Sequence, residues 1–359
     1  MRQFSATLEA PTSHEADEIR HSQVRIARKT SVSNLIEEPF HGIASDYDGV
    51  VERHDRKDIA DDIRPLFVDN SLAKGLPLAF ITGKEYADAI TEIADPFRAA
   101  ITQAGIELKP EEFWIYCNNG SNLIDVGADN ALIEQREFSH KQLNTITESE
   151  AIRALMEIYE VVDELRGRLG FHPDTEATHF RQEDNSTICF RIDPDNIRQS
   201  GAPLHVLQAL KRAGGNMHPT RFDIARKIKA ELARLGADDL VVSPTDRSVD
   251  ITPPGSGKRL ALEDFAKRTG INPERILRIG DSPTGMDYGL LAAKNNEFRG
   301  GFTNVTLNES ELVQIQSDPD HFGTTPPVEI NPGADQFDNV IWLMNNITTT
   351  PRVSSAWSS

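Results

Sequence analysis

Cysteine is nearly absent: only Cys117 and Cys189 occur in 359 residues, too few for a disulfide scaffold. That suits a reducing compartment. Cys117 ends the apolar run FWIYC and reads as a buried strand-end thiol rather than a nucleophile. Long apolar runs are missing too. No stretch approaches the roughly 20 residues needed to cross a bilayer. The opening segment MRQFSATLEAPTSHEADEIR lacks the apolar core of a secretory signal, so the expected location is the cytoplasm. Positive charge is also short, with 38 basic residues against 56 acidic and a net charge of −18. Nucleic acids and anionic membranes are bound through clustered Lys and Arg, so neither is an expected partner. A small anionic substrate in a single basic pocket stays open. No repeat of solenoid period is present.

What is there is the composition of an ordinary globular protein, 38% hydrophobic and 26% charged, long enough for two domains. Residues 1–38 and 348–359 are polar and aperiodic and read as tails. Between them, short apolar runs alternate with helical patterns. GIASDYDGVV, PLAFIT, FWIYC, DITP and ILRIGD are candidate strands, and Asp58 to Lys74 and Glu85 to about Ala104 are candidate helices. Strands alternating with helices indicate an α/β fold with a parallel sheet. From about Gly120 to Arg247 the texture changes. Leu123–Val126, Thr187–Asp193 and Leu240–Asp246 read as strands; Ile152, Leu155, Tyr159 and Val162, then Ile224, Ile228, Leu232 and Leu235, give amphipathic helices. The expected organisation is an α/β core of residues 39–119 and 248–347, with an α+β cap of residues 120–247 inserted into it.

Four segments carry chemistry, each at the end of an expected strand, where ligands of open α/β sheets bind. The first is Asp46-Tyr47-Asp48-Gly49-Val50. Two carboxylates about 4 Å apart repel by about 4 kcal/mol at an effective dielectric of 20, so such a loop calls for a cation, a shared proton, or both. A calcium loop would need Gly at Val51 and Glu at Lys57 and is excluded; a plain Asp-Gly turn stays open. The second is Thr82-Gly83-Lys84, where a hydroxyl and a helix start suit an anion, or where Thr82 simply caps the helix. The third, Pro253-Pro254-Gly255-Ser256-Gly257-Lys258, is not a Walker A loop: Thr252 and Arg259 stand where Gly and Ser or Thr are required. Lys258 then reads as a point charge for a phosphate, or as a solvated surface lysine. In the fourth, Gly280-Asp281-Ser282-Pro283-Thr284-Gly285-Met286-Asp287, the acidic groups suit a hard cation, magnesium first. Helix capping is the competing role for Asp287.

In this order the segments resemble the haloacid dehalogenase superfamily, over about Gly42 to Asn119 and Ser248 to Asn346. The insertion between the second and third motifs, with YCNNGSNLIDVG before it and VDITPPGSGKRLAL after it, is similar to the type IIB branch of Cof-like sugar phosphatases and phosphomannomutases. The resemblance implies a Rossmann-like core and a phosphatase acting on a small phosphorylated substrate, a sugar phosphate first, through an aspartyl-phosphate. It implies Asp46 as nucleophile and Asp48 as acid and base. It also implies Mg2+ on Asp46, the Asp48 carbonyl and Asp281, with Thr82, Gly83 and Lys258 on the phosphoryl oxygens.

There are two departures. Gly285 stands where relatives commonly carry the final Asp of Gly-Asp-x-x-Asn-Asp, so Asp287, two residues late, is expected to act behind the direct metal ligands. Lys84 stands where many relatives carry Arg. A phosphosugar mutase is the alternative, needing convergent cap arginines such as Arg181, Arg191, Arg198 and Arg221. A non-catalytic protein on this fold is less favoured, because both nucleophile and acid are present. His172, His179, His205 and His218 show no metal spacing and read as surface or structural histidines.

Overall fold

The computed structural model describes residues 39–52, 57–155, 157, 186–191, 221–244, 248–283, 285–291, 301–307, 315, 327–330 and 334–349. Residues 1–38 and 350–359 of the tails, Tyr159 and Val162, Arg181 and Arg198, and the four cap histidines lie outside the described residues.

The short apolar runs become strands: β1 (Gly42–Ser45), β2 (Leu78–Ile81), β3 (Phe113–Cys117), β4 (Asn122–Asp125), β5 (Ala131–Gln135), β6 (Ile188–Arg191), β7 (Val241–Pro244), β8 (Ser248–Thr252), β9 (Ile276–Gly280), β10 (Phe302–Thr303) and β11 (Val328–Glu329). Eight of them form one sheet in the order β11-β10-β9-β1-β2-β3-β4-β5. The pairs from β11 to β3 are parallel, and β3/β4 and β4/β5 are antiparallel.

Parallel strands are buried on both faces and favour near-continuous apolar runs, and β1, β2, β3 and β9 are buried throughout. Alternate side chains serve alternate layers. Ile43, Leu78 and Phe80 face the helices Ala60–Asn70, Asp95–Gln103 and Gln336–Asn346, while Ala44, Ala79 and Ile81 pack with Ala261, Leu262 and Phe265 of the helix Lys258–Thr269. Phe80 is the hub of the first layer, its ring within 4.9–5.9 Å of those of Phe97, Tyr47, Phe67 and Phe113. The ring of Tyr47, between the two candidate aspartates, is therefore pinned by the core.

The expected helix from Glu85 forms, with a π-helical stretch Ala89–Ala94 between Tyr86–Asp88 and Asp95–Gln103. The expected edge of the inserted module shifts too. Leu123–Val126 was read as a strand of the module and residues 131–135 fell within its bounds, yet β4 and β5 extend the large sheet as a hairpin. Strand β8 was read as core, yet it is the centre of a three-stranded antiparallel sheet, β6-β8-β7. This second sheet has its own core, in which Ile188, Val249 and Ile251 meet Ile152 and Leu155 and also Ile224, Ile228 and Leu232 of the helix Arg221–Arg234. Among the described residues, no helix is long and apolar enough to cross a membrane.

Candidate active site

The four motifs meet at the carboxyl edge of the large sheet. Asp46 follows β1, Thr82 follows β2 and Asp281 follows β9, and the β1/β2 and β1/β9 pairings bring all three together. Lys258 opens the helix Lys258–Thr269, and its ammonium lies 2.8 Å from Asp46 Oδ2 and 2.6 Å from Asp287 Oδ1. It is thus no solvated surface lysine. Burial pulls its ammonium down, but Asp287 and Asp46 outweigh that and hold it above the ordinary lysine range.

Asp46 is buried. Burial first, then the Asp287 carboxylate, push its carboxyl well above the usual range against the pull of Lys258. Carboxylate oxygens of Asp46, Asp281 and Asp287 all lie within 4.8 Å of one another. Three acids around one lysine leave a deficit of positive charge, and their oxygens are the donors that a hard divalent cation takes. The residues therefore fit Mg2+.

Gly49 makes the approach of Asp281 to this loop geometrically feasible. Its φ is +76°, and a Cβ there would sit 1.7 Å from Asp281 Oδ2, so only glycine fits.

Asp48 points differently. Its carboxylate is met by Lys84 Nζ at 2.9 Å and accepts from Thr82 Oγ1 at 3.3 Å. Thr82 Oγ1 also accepts from the Lys84 N–H, at 3.1 Å. Burial works against the Lys84 charge, yet Asp48 and Glu92 hold it above its usual range. The two aspartates, two residues apart, thus sit in separate environments: Asp46 is buried beside Lys258, whereas the Asp48 side chain is about half exposed (49%) beside Lys84.

The sequence over residues 43–292 matches the family model of the haloacid dehalogenase-like hydrolases. The chain belongs to that family. As a haloacid dehalogenase-like hydrolase it carries the α/β core that its motifs implied, with the strands of the small second sheet lying in sequence between the second and third motifs. A search of curated proteins gives no match. Solved structures similar to it include the N-terminally truncated IMP-nucleotidase of Plasmodium falciparum, at 13% identity and a TM-score of 0.47 over 94% of this chain and 77% of that one. Another is the sucrose-phosphatase from Synechocystis sp. PCC6803 in complex with sucrose and phosphate, at 16% identity and 0.43 over 86% and 99%. A third is a haloacid dehalogenase-like hydrolase from Bacteroides thetaiotaomicron, at 14% identity and 0.41 over 70% and 85%. The family assignment rests on the sequence match and not on these likenesses.

In this hydrolase Asp287, displaced in sequence, is fully buried. Its Oδ2 accepts from the Asp281 and Ser282 N–H groups at 2.8 and 3.0 Å while Oδ1 holds Lys258. It thereby fixes the Asp281 loop and the lysine together. A Cβ on Gly280 would lie 2.5 Å from Asp287 Oδ2, so the longer loop depends on a glycine ending β9.

Sequence reasoning missed the residues that brace the site. Asn304 Nδ2 and Gln336 Nε2 donate to the Gly49 carbonyl at 2.8 and 3.0 Å. Asn118 and Asn119 have φ of 48° and 55°, a left-handed conformation that Asn tolerates. The Asn119 N–H reaches the Thr82 carbonyl, its carbonyl accepts from Gly257 N–H at 2.6 Å, and its Nδ2 donates to Asp250 of β8 at 3.0 Å. One asparagine thus ties the Thr82 loop, the Lys258 loop and the small sheet. The NNG triplet was the available signal. The Tyr47 hydroxyl reaches Glu92 O at 2.8 Å and Glu52 Oε2 at 3.1 Å, and burial, chiefly, keeps this phenol protonated.

Proposed function

We propose that this hydrolase is a magnesium-dependent phosphomonoester phosphatase that works through a phosphorylated Asp46. The observation that supports it best is the buried lysine between Asp46 and Asp287, with Asp281 within ligand distance of both. A small phosphorylated metabolite, a sugar phosphate first, is the proposed substrate, enclosed by the module that carries β6, β7 and β8.

An Asp46 carboxylate oxygen attacks phosphorus, forming the acyl-phosphate as the ester P–O bond breaks. Asp48, more exposed and turned to Thr82 and Lys84, gives its proton to the departing alkoxide. It then takes a proton from the water that attacks phosphorus, which frees phosphate and restores Asp46. Thr82, the Gly83 segment and Lys258 hold the phosphoryl oxygens and offset their charge, which is most of what phosphoryl transfer requires. Magnesium would be held by Asp46, Asp281 and the Asp48 carbonyl, with Asp287 bracing the loop. When bound it shields the anionic nucleophile from the anionic phosphate.

Phosphate release from a panel of phosphorylated sugars and nucleotides tests the activity, and an isomerised phosphosugar without phosphate release would point to the mutase instead. EDTA is expected to abolish the activity and Mg2+ to restore it. Independently, Mg2+ is expected to raise the melting temperature of the chelated protein, because a ligand of the folded state stabilises it. A rate and a melting curve both indifferent to chelation would contradict the ion.

A further inference from the structure

We propose that Glu92, on the π-helical stretch Ala89–Ala94, is a positioning residue that fixes, through Lys84 and Tyr47, the direction in which Asp48 presents its carboxyl. This rests on the reading of Asp48 as the proton donor given above. The Asp48 side chain is 49% exposed, so packing alone does not set its direction. What restrains it is the Thr82 hydroxyl at 3.3 Å and, more closely, the ammonium of Lys84 at 2.9 Å, whose side chain is only 10% exposed.

A lysine is a point charge on a flexible stem, and a single carboxylate partner does not immobilise it. Lys84 has two further anchors. Glu92 Oε2 lies 2.6 Å from Nζ, and the Tyr47 ring centroid lies 5.6 Å from it, within cation–π range. Glu92 therefore grips the site twice. Its carboxylate holds Lys84, and its main-chain carbonyl accepts from Tyr47, the residue between the two aspartates.

The π turn makes both contacts available. It adds one residue to a helix, which turns the following segment by about 100° relative to an uninterrupted α-helix. Asp95–Gln103 can then keep Phe97 and Ile101 in the core while Glu92 faces Lys84. Such turns are rare and recur at functional sites.

The test separates the acid step from general damage. Alkyl phosphates need a proton on the leaving oxygen, whereas the leaving group of p-nitrophenyl phosphate departs as a stable phenolate and needs little help. The ratio kcat/KM reports steps up to the release of the alcohol, before water attack on the phosphoenzyme. Glu92→Gln, nearly isosteric, is expected to lower kcat/KM for an alkyl phosphate about tenfold or more, and for p-nitrophenyl phosphate less than about threefold. Lys84→Gln is expected to reproduce this split, and Lys84→Arg, which keeps the charge, to retain more of the alkyl activity. Equal losses on both substrates, or no loss on either, would overturn the role of Glu92. If Asp46→Asn hydrolysed either substrate at the wild-type rate, the Asp46 mechanism on which the reading of Asp48 rests would itself fall, whatever Glu92→Gln does.

Discussion

Asp46→Asn is expected to lower kcat by at least about 10,000-fold while leaving the fold in place. The amide matches the carboxylate in shape, but its oxygen is a poor nucleophile and carries no charge. Lys258 keeps Asp287 at 2.6 Å as a partner, so its ammonium is not stranded. Thermal stability should not fall either. The Asp46 carboxyl is pushed up chiefly by burial, so its ionised form opposes folding, and a neutral amide removes that cost. Phosphate release and a melting curve on the same preparation check both halves. A variant that retains a tenth of the wild-type turnover would rule out Asp46 as the nucleophile.

Lys258→Met is expected to hurt both activity and stability, which distinguishes it from the Asp46 variant. The ammonium is buried (side chain 3% exposed) between two carboxylates that are themselves 9% and 0% exposed. Removing one partner of a buried ion pair costs about 3–5 kcal/mol, because the remaining charge is left uncompensated, and here two carboxylates are left facing each other. Met retains the apolar stem but not the charge, so packing is largely preserved. Loss of the donor aimed at the phosphoryl oxygens should lower kcat on the order of 100-fold to 1,000-fold. Urea unfolding measures the first effect, and kcat on the best substrate of the panel measures the second. A variant as stable as the wild type would mean that Lys258 does not neutralise this cluster.

The parts of this site that were legible in the sequence share one property. Asp46, Thr82 and Asp281 each follow a short run of apolar residues, and a parallel strand needs such a run because both its faces are buried. The chain therefore marks where the sheet ends and where its ligands bind. Lys258 was legible only as a charge at a helix start; its burial depends on Asp46 and Asp287, which lie far from it in sequence.

What failed to show has physical reasons as well. The segment of the hairpin β4/β5 was given to the inserted module because the texture of the chain changes from about Gly120, and local composition does not say to which sheet a strand adds. The bracing of Gly49 by Asn304 and Gln336 is a contact across more than 250 residues, and an amide side chain has no sequence pattern that announces its acceptor. Glu92 lies eight positions after Lys84, outside the three- and four-residue spacing at which helical side chains pair. Lys84 itself precedes the helix, and the π turn decides where Glu92 faces. Asp287 looked out of register with the family motif, yet the longer loop brings it against Lys258 and the Asp281 backbone.

The covalent step is the central claim, and trapping the phosphoenzyme tests it most directly. The wild-type protein, turning over a radiolabelled phosphate ester with Mg2+, is quenched in acid, digested at low pH and mapped by peptide. The account predicts label on the peptide that contains Asp46, released by hydroxylamine as an acyl-phosphate should be, and absent from Asp46→Asn. Steady phosphate release with no labelled protein, or with label on another residue, would contradict it.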